Sequence, residues 1–183
     1  MHCLSCGAQL HQSGYIQKCE YCGGVVQLNL RTNVSALSIS EKLNIRSNSE
    51  RFSDDLSSIL ALSILYLEDD LTELALNVLS KGLAIYPTDP ELHLMQAIAL
   101  LSKDDMKKAK LPDIELAVKH LIFCIKIDSL TFAADCNFIL NKIQNGYFKR
   151  NSIKPTRGFL DLQAEVSEFP ANELLASRFK ALQ

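Results

Sequence analysis

Cysteines come in two matched pairs near the start of this chain, Cys3-Leu-Ser-Cys6-Gly7 and Cys19-Glu-Tyr-Cys22-Gly23. A C-x2-C-G written twice over so short an interval constrains the local fold more than any other feature. Each pair can form a tight knuckle that aims two thiolates at one ion, and four thiolates complete a tetrahedral metal site. The glycine after each second cysteine supplies the permissive backbone that lets amides turn toward the sulfurs. Residues 1–30 hold few large apolar side chains, among them Leu4, Leu10, Ile16, Val25 and Val26. So small a unit does not stabilise itself on such a core and normally needs a staple. A structural zinc ion contributes about 10–16 kcal/mol of apparent binding energy, and here that is folding energy. One structural zinc held by Cys3, Cys6, Cys19 and Cys22 is the expectation.

Disulfides are the rival use of four paired cysteines, and they belong to oxidising compartments. The chain begins Met1-His2-Cys3 with no basic and apolar leader pattern, so reduced thiolates in a cytoplasmic setting are expected. A redox-active dithiol would want a βαβ pattern around it, which neither pair has. Iron in the same four thiolates is chemically open, although the short interval between the pairs favours zinc. His2 and His11 read as surface imidazoles. On these residues the segment resembles the zinc-ribbon family: the four cysteines match its ligands, and Gly7 and Gly23 its knuckle glycines. The reading adds a hairpin, Gln9–His11 and Tyr15–Lys18 about a turn at Gln12-Ser13-Gly14, and a third strand through Val25–Leu28. The resemblance implies metal binding without a function, because ribbons serve nucleic-acid binding, protein docking and plain structural roles.

Composition bounds the remainder. With 183 residues, 48% of them hydrophobic, the chain has room for the ribbon and one further domain. A formal net charge of −2 gives no global attraction to nucleic acid or membrane. Residues 31–53 are rich in Ser and Asn, lack a sustained apolar face, and read as a polar linker. From residue 54 to 183 the pattern is helical. Ser53-Asp54-Asp55 is a start signal, and an almost unbroken apolar run follows from Leu56 to Leu67. Helices are expected over 71–85, 91–101, 113–127, 129–147, 160–169 and 172–182, with breaks at Tyr86-Pro87-Thr88-Asp89-Pro90, the charged stretch 103–110, and Pro170. The fold class is therefore mainly α, a small β ribbon followed by a stack of α-hairpins.

The segment 56–89 resembles a tetratricopeptide repeat. Leu62 and Tyr66 take that family's large first-helix positions and Ser63 its small one. Ala75, Leu79 and Gly82 follow its second helix, and Pro87 its closing proline. Ile59 replaces the usual Trp. A second, degenerate copy starts at Pro90 with Ala97, Leu100, Ala117, Leu121 and Cys124, spaced by an insertion around 107–114. A third is half present at Cys136, Asn137 and Leu140. Small residues at Ala75, Gly82, Ala97 and Ala117 would let helix backbones approach closely.

The resemblance implies a concave face lined by Leu60, Ile64 and Leu67 and by Leu94, Ile98 and Leu101. The Lys, Arg and Asn of a carboxylate clamp are absent there, which argues against chaperone-tail binding. A stripe so apolar needs a cover: a partner's amphipathic helix, a second copy of the chain, or its own tail with Leu174, Leu175, Phe179 and Leu182. Cys124 and Cys136 read as core residues, and His93 and His120 as ordinary helix residues. No phosphate loop, nucleophile elbow or metalloprotease helix occurs, so no enzyme activity is expected. Lys142, Lys149, Arg150, Lys154 and Arg157 alternate with Tyr147, Phe148 and Phe159 in a stretch without acids, a pattern that suits single-stranded nucleic acid or an acidic partner. The sequence thus points to a non-catalytic adaptor that binds another protein. The alternative is a nucleic-acid-associated accessory factor.

Overall fold

The computed structural model describes residues 16–18, 25–27, 55–106 and 108–179. The chain divides into two units, Met1–Ser47 and Asn48–Gln183. In the first unit, strand β1 (Ile16–Lys18) pairs antiparallel with β2 (Val25–Gln27), with Ile16 opposite Gln27 and Lys18 opposite Val25. The segment 19–24 that joins the paired ends carries Cys19 and Cys22. The four cysteines expected as ligands, the expected strand at 9–11, and the expected linker at 31–53 lie outside the described residues.

The second unit is helical, with no strand among its described residues. Helix α1 (Leu56–Glu68) begins where Asp55 accepts from Ser58 N at 3.0 Å, an N-cap that satisfies an otherwise orphaned amide. It ends in a left-handed turn at Asp70 (φ 60), closed by Leu71 N donating to Tyr66 O at 2.8 Å. Helix α2 (Thr72–Ile85) stops before Pro87, and α3 (Pro90–Leu101) starts on Asp89, whose carboxylate accepts from Leu92 N at 2.9 Å. Proline as the first helical residue forfeits an amide that would have been orphaned in any case.

Helix α4 (Leu111–Ile143) is two helical arms joined at Asp128, whose backbone is non-helical (φ −149, ψ 84). Cys136 Sγ lies 4.0 Å from Leu121 O. In a straight helix that separation in sequence would span roughly 22 Å, so the two arms fold back on each other. Asp128 Oδ1 accepts from Thr131 N at 3.1 Å and caps the second arm. The two expected helices are present as these arms. The second arm passes into a π-helical segment (Gln144–Lys149), and the chain continues through α5 (Arg157–Val166) to a short α6 (Leu174–Arg178).

From α1 to α5 successive helices pack on one another, and α1 also reaches α3. Thr72 Oγ1 donates to Ser102 O at 3.3 Å, so α2 and α3 run antiparallel. Only Ala75, Leu79 and Gly82 of α2 are buried, whereas α1 and α3 are buried nearly all round. That is the consequence of helices with no polar face: they must sit between neighbours. Among the described residues no helix is long and apolar enough to cross a membrane.

Candidate functional site

A cleft of about 810 Å³ opens in the helical unit. Its walls are helix ends: Leu67 in the last turn of α1 and Asp70 after it, Thr72 at the start of α2, and Ser102–Met106 after α3. The second arm of α4 adds Phe138, Asn141 and Lys142, the π-helical segment adds Asn145 and Gly146, and Arg150 follows. Ala171 and Glu173 close the rim from the C-terminal segment.

Local structure explains why these groups converge. A β-carbon on Gly146 would stand 2.7 Å from Met106 Cγ, so the glycine lets the 102–106 loop settle on the π-helical segment. The C-terminal segment is pinned by polar contacts. Asn172 N donates to Ala134 O at 3.0 Å, Asn172 Nδ2 to Asp135 Oδ1 at 2.6 Å, and Asn137 Nδ2 to Phe169 O at 2.6 Å. Charges of both signs line the cleft. Lys142 Nζ sits 5.4 Å from the centroid of the Phe138 ring, and Lys103 pairs with Asp113 at 3.9 Å. Asp70, Asp104, Asp105 and Glu173 supply carboxylates, and Thr72, Ser102, Asn141 and Asn145 neutral hydrogen-bonding groups. The arrangement can hold a polar, extended ligand.

The expected docking positions divide sharply. Leu67 borders the cleft, but Leu60, Ile64, Leu94, Ile98 and Leu101 are each no more than 2% exposed. The stripe expected to stand open is core, because it is covered within the chain. Each of these side chains stabilises the fold by about 1.5–3 kcal/mol through burial and is not on offer to a partner. The tail contributes to the interior through Phe179 and Leu175, while Leu174 is 77% exposed and Leu182 lies outside the described residues.

The basic stretch divides as well. Lys142 and Arg150 line the cleft, whereas Lys149 donates to Asn145 Oδ1 at 2.8 Å and Arg157 pairs with Asp161 at 3.7 Å on the surface. Lys154 is exposed. Tyr147, Phe148 and Phe159 are at most 4% exposed and stack edge to face on one another. Aromatics committed to the core cannot stack on bases, which removes half of the pattern that suggested nucleic acid.

Sequence reasoning missed one pairing. His93 on α3 and His120 on the first arm of α4 meet with their Nδ1 atoms 2.7 Å apart, and His93 Nε2 lies 3.0 Å from Pro87 O. The Phe123 ring lies 4.0 Å from that of His93. Burial, with the charge of His93 as a lesser cause, lowers the pKa of His120 from its ordinary 6.5 to about 4. Spacing along the chain carries no sign of this, because it depends on how two helices are rotated against each other. Cys124 and Cys136 are buried and form no disulfide, as expected of core positions.

Among the described residues no three His, Cys, Asp or Glu side chains are grouped to hold a metal. The N-terminal cysteines fit zinc on the chemistry of their donor set, and the β1–β2 pairing brings together the two ends of the segment that holds Cys19 and Cys22. No family model, curated protein or solved structure matches this chain.

Proposed function

We propose that this chain is a non-catalytic adaptor that joins a zinc ribbon to a tetratricopeptide-like stack of helical hairpins and recruits another protein. The observation that carries the reading is the cleft at the helix ends, whose 810 Å³ lies within the roughly 300–1,000 Å³ typical of ligand sites. Its occupant is an extended segment of a partner protein. Asn141, Asn145, Thr72 and Ser102 offer donors and acceptors that suit a peptide backbone, and the flanking charges of both signs suit its side chains. Cys3, Cys6, Cys19 and Cys22 hold one structural zinc, which supplies folding energy and no chemistry. Thiolate ligation of this kind fits a reducing, cytoplasmic compartment.

Capture from native lysate with paired baits tests the proposal. Wild type is set beside an Asn141→Ala/Arg150→Glu variant, with helical content and melting matched between them. Proteins retained by wild type and lost by the variant support the cleft, provided that the retained protein also protects amides of 102–106 and 138–150 from exchange. Equal recovery on both baits overturns it.

A further inference from the structure

We infer that His93 and His120 form a one-proton latch, holding α3 against the first arm of α4 while the pair carries at most one added proton and opening when a second arrives. The geometry dictates the count. Pro87 O has only lone pairs, so His93 Nε2 must carry the hydrogen of that 3.0 Å contact. Two Nδ1 atoms 2.7 Å apart then need one N–H and one lone pair between them. In the neutral pair His120 supplies the N–H and His93 the lone pair. One added proton still leaves one N–H and one lone pair between the two Nδ1 atoms, so the bond survives. With both rings charged, two N–H groups face each other with no acceptor, and like charges repel.

The surroundings leave the latch to these two rings. The turn and α3 bring Tyr86, Asp89 and Glu91, and the Asp89 carboxylate already accepts from Leu92 N. The first arm of α4 brings Glu115, Lys119 and Cys124, the thiol of which donates to Pro90 O at 3.1 Å. Helix α5 approaches at Gly158, near Ile122, with Arg157 and Asp161 paired to each other. The only charge effect on His120 comes from His93. Because His93 also holds the Pro87 carbonyl, opening frees the turn that links the first helical hairpin to the second.

Imidazole nitrogen NMR on the full chain from pH 7.5 to 3.5 tests this, the four histidines being assigned with single His→Gln variants. The expected result at neutral pH is a His120 ring protonated on Nδ1, the less common tautomer. The second proton enters near pH 4, a roughly 300-fold weaker affinity than that of a free imidazole. Amide protection at the start of α3 and over 117–124 falls with that second proton. In His120→Gln, which can still hydrogen-bond but cannot titrate there, the same amides lose this pH dependence. Independent protonation of both rings near 6.5 overturns the latch. So does an unchanged pH profile in His120→Gln, and the wild-type titration decides alone if that variant does not fold.

Discussion

Gly82 on α2 faces Ile59 on α1 with no room between them: a β-carbon on the glycine would stand 2.7 Å from Ile59 Cγ2 and 3.3 Å from both δ-carbons of Leu92. The contact lies where three helices meet, and Cγ2 of a β-branched residue cannot swing aside. Gly82→Ala gains up to about 1 kcal/mol of helix propensity but overpacks the core at a cost of about 1–3 kcal/mol. The net expectation is destabilisation by about 1 kcal/mol in urea unfolding. Adding Ile59→Ala to Gly82→Ala should make the pair less unstable than the two single losses summed, and strict additivity would show that the close approach is not what matters.

Asp55 gives a second expectation, this one dependent on pH. Burial alone would raise its pKa, but hydrogen bonds from Ser57 and Ser58 outweigh that and hold it below the ordinary 3.8. A carboxylate lowered in the folded state contributes stability that is full above 3.8 and is lost as pH falls through its folded value. Asp55→Ala should cost about 0.5–2 kcal/mol near neutral pH, and Asp55→Asn much less, since Asn caps nearly as well. The cost of the alanine variant should shrink as pH falls below 3.8 toward that folded value. A cost that stays constant from pH 7 to pH 3 would contradict the capping role.

The clasp at Asp135 yields a third. Its side chain is 4% exposed and accepts from Asn172 Nδ2, so Asn172→Ala removes a hydrogen bond to a buried carboxylate. Such bonds are worth about 1.5–3 kcal/mol. Proteolysis after Phe169 should quicken in the same variant, because only the backbone bond from Asn172 N to Ala134 O is left to pin the segment there. With Asp135→Ala already in place, Asn172→Ala should cost markedly less. Equal costs in both backgrounds would separate the two residues energetically.

What the sequence disclosed and what it hid follow from the kind of signal involved. Helix ends were legible because they rest on local chemistry: Asp55 before an apolar run, and the Tyr86–Pro90 stretch that stops α2. Strands β1 and β2 fall inside the stretches read as strands, 15–18 and 25–28, whereas the 9–11 partner expected for the first lies outside the described residues. The fate of Leu60 and Ile64 was not, because a helix apolar on every side carries no mark of which side is covered. Tyr147, Phe148 and Phe159 misled through their basic neighbours, because their burial depends on the π-helical segment meeting α5. The cleft was half visible. Lys142, Arg150 and Leu67 stood out as candidates, whereas Thr72, Asn141 and Glu173 are joined only by the way separate helix ends meet.

The zinc proposal carries the most decisive expectation. Purified without chelator, the full chain should hold one equivalent of zinc, and any single Cys→Ser change at Cys3, Cys6, Cys19 or Cys22 should abolish tight stoichiometric binding. Three remaining ligands do not close a structural site. The helical unit has its own core, built on Ile64, Leu79, Ile98 and Leu121, none of them in the ribbon. Its thermal transition, followed by helix circular dichroism, should therefore shift by less than about 2 °C when zinc is stripped, because loss of the metal removes folding energy from the N-terminal unit alone. Native mass spectrometry measures the first quantity and dichroism the second. Protein that carries no metal, or that keeps a full equivalent after Cys22→Ser, would remove the ribbon. Iron in place of zinc would announce itself by a visible thiolate charge-transfer colour.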